Sequence, residues 1–373
     1  MSTKGTRLGA LVGVVALIAA ACSSGTSPSG APASVDVPAS ASPSAATPEA
    51  PASPAASATG LTAVYVSSGP IGVNPFLQLI ADGIQRGGAD CGVEVKVVES
   101  ADQATFEDNL AAVVSDGDDL IVTNSFESVD AVTRLATENP DQKWAVVDTG
   151  IDGHANVRGL VFKEHEGTYL LGAIYGLLAS GDYEGYPASD TIGFVGAIDL
   201  PFIRRWFVGF QEGVKATNPT ATVLESWGTG FADPATSKEL ALAQFDKGAR
   251  YIAAVSAAGN TGIFEAAKER DFFTSGVDTD QRPLDPEHII ESMVKRTDVG
   301  AYDSVCALAK GEFSGGFVAY GLKERGVGPA FLALDELDPP SKLPAEVEAQ
   351  VKALADKIVS GEIVVTDYLA QGQ

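Results

Sequence analysis

LTAVYVS at Leu61–Ser67, VEVKVV at Val93–Val98, LIVT at Leu120–Thr123 and WAVVD at Trp144–Asp148 decide the fold of this chain. Each run is short, dominated by β-branched and aromatic residues, and bounded by Gly, Asp or Ser, which is the pattern of a strand. Amphipathic stretches at Phe76 to Gly87, Thr105 to Ser115 and Ser128 to Glu138 separate them and are predicted as helices. Strands alternating with helices imply a parallel sheet covered on both faces.

A second set begins at Thr191. Ile192 to Val195, Thr222 to Ser226, Tyr251 to Val255 and Phe273 to Val277 read as strands, with helices at Pro201 to Thr217, Pro234 to Lys247 and Gly262 to Glu269. Two successive sheets predict two α/β lobes. Glu164 to Ala179, rich in Gly, Tyr and Leu, is the predicted helix that carries the chain between them. Ligands of open parallel sheets sit beyond the carboxyl ends of the strands. The informative loops are therefore Ser67 to Phe76, Thr123 to Phe126, Asp148-Thr149, Gly196 to Asp199, Gly228 to Asp233, Ser256 to Gly262 and Asp278 to Gln281. Their Asp and Asn side chains, with Phe76, Phe126 and Phe231 among them, suit a small polar ring compound.

The chain has 373 residues and a net charge of −24. That balance argues against nucleic acid as a partner, because phosphate binding needs clustered Lys and Arg. Lys4 and Arg7 precede the apolar run Leu11 to Ala21, and Cys22-Ser23-Ser24-Gly25 follows. These are the parts of a signal peptide at 1–21 that ends on a lipobox, with Cys22 as the lipid-bearing first residue, although Ala19 stands where a lipobox usually has Leu. The alternative is an ordinary cleaved signal with an incidental cysteine. The run is too short to cross a bilayer as a helix, so the expectation is a protein lipid-anchored on the outer face of the membrane. Residues 22–60 are almost wholly Ser, Pro, Ala, Thr and Gly and cannot bury a core, which predicts a disordered spacer. Cys91 and Cys306 are too few for a structural zinc site; outside the cytoplasm they either pair or stand as two separate buried thiols.

Phe162-Lys163-Glu164-His165-Glu166-Gly167-Thr168-Tyr169 resembles the Phe-Lys-Glu-x-Glu-Gly-Ser/Thr-Tyr signature of the basic membrane protein family, the substrate-binding lipoproteins of nucleoside ABC importers. Ile192 to Asn218 resembles the family's Gly-Phe-Val-Gly-Gly-x-Asp-Ile-Pro stretch and the helix after it. Phe231-Ala232-Asp233-Pro234, Ala257 to Gly262, Gly276 to Gln281 and Lys295-Arg296 agree in the same order. The resemblance implies the periplasmic-binding-protein type I fold, two Rossmann-like lobes joined by a hinge. Lobe I would span 61–175 and 295–330 and lobe II 176–294, with 331–373 a C-terminal extension whose helix packs on the body.

It also implies a nucleoside ligand, a purine for preference, and as partners an ABC permease and its ATPase. Phe76 and Phe231 would stack on the two faces of the base and Asp148 would accept from its edge. Asp278 and Lys295 would hold the ribose hydroxyls, with the backbone at Ala258 and Gly259 beside the sugar. The family's Asp-Lys-Ser-Phe-Asn loop is Val73-Asn74-Pro75-Phe76-Leu77 here, so Asn74 and Asn124 would replace the lost hydrogen bonds. Trp206 would cover the ligand or pack its helix, and Arg204-Arg205 offers a surface for the transporter. The bland readings are core positions for Phe76 and Phe231, a turn or cap for Asp278, and a surface ion pair for Lys295. No metal or cofactor is expected. His154, His165 and His288 are scattered and no nucleophile elbow, zinc-binding helix or phosphate loop is present, so an enzyme is not expected. The alternatives to import are a ligand-sensing lipoprotein, a binder of another solute such as a sugar and, last, a nucleoside hydrolase.

Overall fold

A computed structural model describes residues 60–372; the signal segment, Cys22 and the spacer up to Thr59 lie outside the described residues. The first series of elements is β1 (Thr62–Val66), α1 (Pro75–Cys91), β2 (Glu94–Val98), α2 (Gln103–Asp116), β3 (Leu120–Asn124), α3 (Val129–Glu138), β4 (Lys143–Val147) and β5 (Val157–Phe162). Helix α4 (Glu164–Leu178) leads to the second: β6 (Thr191–Gly196), α5 (Pro201–Thr217), β7 (Thr222–Trp227), α6 (Pro234–Asp246), β8 (Tyr251–Val255), α7 (Asn260–Arg270), β9 (Phe273–Asp278) and β10 (Ile289–Lys295). The chain then runs through α8 (Thr297–Lys310), β11 (Gly316–Tyr320), β12 (Val327–Pro329), α9 (Ala330–Ala333) and α10 (Ala345–Ser360).

Two six-stranded sheets result, ordered β11-β5-β4-β3-β1-β2 and β12-β10-β9-β8-β6-β7. All pairs are parallel except β10 with β12. Each is a Rossmann-like layer, the two-lobed α/β architecture expected from the alternation. Central strands β3 and β8 bury every residue, as strands between two helical layers must. Edge strand β2 turns Glu94 and Lys96 outward from the apolar Val positions.

The helices start where local chemistry directs them. Asn74 caps α1 by accepting from the Phe76 amide, Pro75 occupies the first turn, and Gly92 in the left-handed region ends it. Asp102 and Asp233 cap α2 and α6 in the same way. Helices α4 and α5 pack so closely that a Cβ on Gly172 would strike the Phe210 carbonyl and one on Gly213 the Tyr169 carbonyl.

Three crossovers join the lobes. After β5 the chain enters α4, which packs on α5 and β12 of the second lobe, so the lobe boundary read at 175 falls inside this helix. After β10 it enters α8, which lies on α1 of the first lobe. After β11 it returns to β12. The crossovers are bonded to one another: Lys163 N–H donates to the Tyr320 carbonyl at 3.0 Å and Arg296 N–H to the Gly326 carbonyl at 2.8 Å. Within the first lobe Cys91 and Cys306 are joined by a disulfide, Cα to Cα 5.3 Å, tying α1 to α8. Helix α10 buries Val347, Val351, Ala355 and Ile358, one helical stripe, and packs on α4. Beyond it the chain runs back to α5, where the Thr366 amide donates to Glu212 Oε2 at 3.0 Å. Among the described residues no helix is long and apolar enough to cross a membrane.

Candidate functional site

The carboxyl ends of both sheets face one cavity of about 320 Å³, within the range of small-molecule sites. Backbone strain is concentrated there. Of the non-glycine residues with positive φ, Ser125, Asp148, Ala257 and Asp278 (φ 67°, 66°, 50° and 64°) all stand in the cavity wall, each at or just past the end of a strand. A side chain rarely adopts this region, and such residues cluster where a site is held in place by its surroundings.

Asn74, Phe76, Asp148, Trp206, Phe231, Asp278 and Lys295 are brought together in the wall. Lys295, the last residue of β10, is buried and is the electrostatic centre. Its Nζ lies 2.8 Å from Asp148 Oδ2 and 3.5 Å from Glu164 Oε1. It also lies 5.0 Å from the ring centroid of Phe76, 5.2 Å from that of Trp206 and 5.8 Å from that of Phe162. Burial opposes its charge, but the Asp148, Glu164 and Asp278 carboxylates more than offset this, and the ammonium is held well above the usual lysine range. It is therefore no surface ion pair.

Asp278 differs from its neighbours. It is buried, with Lys295 and Asp148 as its charged neighbours, yet among the described residues its carboxylate has no hydrogen-bond partner. Burial pushes it up to about 6, against the pull of Lys295. Burial likewise raises Glu164 despite the Lys295 and Arg205 cations. A group of three carboxylates around one ammonium is rich in acceptors, so it favours hydroxyl and amine donors and repels phosphate.

The resemblance implies Asp148 at the base and Lys295 at the ribose, and the structure makes the two direct neighbours in the wall, bonded at 2.8 Å. Asn124, Ala258 and Gly259 are not in its wall. Asn124 is fully buried; it accepts from Tyr65 Oη and the Ser68 amide and donates to Ser68 Oγ and Ser125 Oγ, so it fixes two wall loops from behind. The Gly259 amide is bound to the Ser256 and Phe231 carbonyls, and Ala257 takes the wall position instead. Arg204 pairs with Asp199 and Glu225 on the surface, whereas Arg205 turns inward, away from any transporter.

Several wall residues went unread. Phe202 lies between Phe126 and Phe231, with ring centroids 5.3 Å and 6.3 Å away, the second pair nearly parallel at 19°. The signal for it was present: Pro201-Phe202 opens α5 as Pro75-Phe76 opens α1. Glu127 adds a carboxylate, raised by burial, with one oxygen buried and unpartnered. Phe162 and Glu164 come from the first crossover, Arg205 reaches them from near the start of α5, and Leu369 comes from the last turn of the chain, which no local pattern announces.

Two Rossmann-like lobes around a cleft of this kind define a solute-binding protein of the type I periplasmic-binding architecture. Residues 61–368 match the model of the Bmp family, described as "ABC transporter substrate-binding protein PnrA-like", and the chain belongs to that family. It is 28% identical over 327 residues to the CD4+ T-cell-stimulating antigen of Listeria monocytogenes, covering 82% of this chain and 87% of that one. It is 27% identical over 299 residues to basic membrane protein A1 of Borrelia garinii, covering 78% and 83%. A solved ABC transporter solute-binding protein from Aeropyrum pernix superposes with a TM-score of 0.72 at 26% identity, covering 82% of this chain and 93% of that one.

Proposed function

We propose that this ABC transporter substrate-binding protein captures an intact nucleoside, a purine for preference, between its two lobes and delivers it to a permease. Asp278 carries the reading: a buried carboxylate that has no hydrogen-bond partner among the described residues, beside Lys295, in a cavity whose wall also presents the rings of Phe76, Phe202 and Phe231. Paired ribose hydroxyls supply the missing donors. Phe76 and Phe231, from opposite lobes, offer faces for the base, and Phe202 backs Phe231. Stacking contributes roughly 1–3 kcal/mol per base. Contacts to both lobes are complete only when the cleft is shut, so the ligand favours the closed form that the permease reads. Cys22, after the signal segment, anchors the protein by lipid to the outer face of the membrane.

The test is calorimetry and thermal shift with adenosine, inosine, 2′,3′-dideoxyadenosine, adenine, D-ribose and adenosine monophosphate. Intact nucleosides raise the melting temperature by mass action. Loss of the vicinal hydroxyls weakens binding by about tenfold or more, since Asp278 is then left unsatisfied, and the monophosphate is rejected by the acidic cluster. D-ribose binding as tightly as adenosine would replace the nucleoside by a sugar, and release of free base from inosine would make the protein an enzyme.

A further inference from the structure

The end of the chain returns to the cleft. Leu369 stands in the cavity wall, and the turn from Tyr368 to Gly372 packs on α5. Two anchors hold this segment. The Thr366 amide donates to Glu212 Oε2 on α5, and Asp367 Oδ2 accepts from Arg205 Nη2 at 2.9 Å.

Arg205 is the more informative anchor, because its remaining bonds reach the first crossover between the lobes. Its Nη1 donates to the Phe162 carbonyl at 2.7 Å, where β5 ends, and to Glu164 Oε2 at 3.0 Å, where α4 begins. Its Nε donates to His165 Nδ1 at 3.0 Å. Burial, reinforced by the Arg205 cation, pushes His165 down to about 4, so the imidazole is neutral and free to accept. The other oxygen of Glu164 faces Lys295. A continuous chain of polar contacts thus runs from Asp367 through Arg205 and Glu164 to the ammonium at the heart of the site.

We propose that Thr366 to Leu369 form a strap, positioned by Arg205, that closes one side of the cleft and slows the escape of the bound solute. Leu369 is the wall residue and Arg205 and Asp367 are positioning residues that fix the strap to the crossover where the lobes meet. The strap belongs to the same cleft as the proposed nucleoside site and rests on its being the solute site.

Trp206, in the same cavity wall and next to Arg205 in α5, is a probe of the cavity that needs no ligand. Of the three tryptophans, Trp144 is fully buried, so Trp227→Phe leaves Trp206 as the one that answers to the cavity. In that background, acrylamide quenching is measured on the intact chain and on Leu369→Gly, Asp367→Asn and Leu369→Met, together with the melting temperature and the rate at which adenosine dissociates. Quenching rises several-fold in Leu369→Gly and Asp367→Asn and returns to its starting value in Leu369→Met. Adenosine leaves about tenfold faster from the first two while its association rate changes little, as is usual for contacts formed after encounter. Unchanged quenching and dissociation, with only the melting temperature lowered, would overturn the strap and leave the segment a structural tie. If the unmutated chain takes no adenosine while Leu369→Gly still exposes Trp206, the nucleoside assignment fails and the strap stands.

Discussion

Helix α1 enters the cleft as Pro75-Phe76 and α5 as Pro201-Phe202; β4 hands on to Asp148 and β9 ends on Asp278, both aspartates left-handed at φ 66° and 64°. At these points the two lobes repeat one another. They part at the fifth strand, where β5 ends on Phe162 and β10 on Lys295. The single amine makes the equivalent aspartates unequal: Asp148 is bonded to it at 2.8 Å, while Asp278 has no hydrogen-bond partner among the described residues. A repeated scaffold places the groups, and one unrepeated residue leaves one aspartate bonded within the site and the other without a partner among the described residues, as the proposed ligand contact requires.

Lys295→Met, which makes both fifth positions apolar, breaks the comparison most severely. It leaves Asp148, Glu164 and Asp278 around a buried site without their shared cation, and the expected loss is about 3–5 kcal/mol in urea unfolding. A stability within error of the parent would mean that these carboxylates do not rely on the amine. The lobes also differ in covalent ties, since the Cys91–Cys306 bridge lies in the first and closes a sequence separation of 215 residues. Replacing both cysteines by Ala lowers stability by about 2–5 kcal/mol. Native-state hydrogen exchange should speed up in α1 and α8 and leave α5 unchanged; uniform loosening of both lobes would show that the bridge acts on the whole body.

The aspartate pair gives a sharper contrast with smaller effects. Asp148→Asn removes the charge of the nearer of two carboxylate partners of a buried ammonium and lowers stability by about 1–3 kcal/mol. Asp278→Asn removes a buried charge that lacks a hydrogen bond, so stability holds or rises while adenosine binding weakens by about tenfold or more. The same outcome for both variants, in unfolding and in calorimetry, would refute the division of roles.

The parts of the fold that were legible in sequence are those where neighbouring residues decide the structure. Strands such as LIVT at Leu120–Thr123 announce themselves by composition. Strands β5 and β10 went unread because their polar residues are satisfied by distant partners, and the short β11 and β12 went unread as well. Arg158 in β5 donates to the Ser314 carbonyl, and Glu291 in fully buried β10 accepts from the Ala330 amide. Helix α4 was visible as a helix, but it is buried almost all round, so its pattern gives no sign of which lobe it joins. In the site, reading the strand ends located Asp148, Asp278, Phe76 and Phe231. Asn124, also at a strand end, turns inward to Tyr65 and Ser68, while Leu369 reaches the cavity only because the last segment of the chain returns to α5.

The smallest effect separates what Asp278 does for the protein from what it does for the ligand. Its ordinary value is 3.8 and burial raises it to about 6 in the folded chain. The folded state therefore holds the proton more tightly than the unfolded one. This contribution to stability is full below 3.8 and is lost as pH rises through about 6. Ligand hydroxyls require the ionised form, so affinity moves the other way and falls as pH drops through the same value. From pH 7 to pH 5 the ligand-free protein gains stability from this group, and adenosine binding weakens by up to about tenfold, as expected for a group that titrates between those limits. Asp278→Asn should flatten the affinity profile, whereas Asp148→Asn should keep Asp278's step but move it to lower pH, because the Asp148 charge helps to raise Asp278. A binding profile that stays flat in the parent would show that the Asp278 carboxylate does not accept from the ligand.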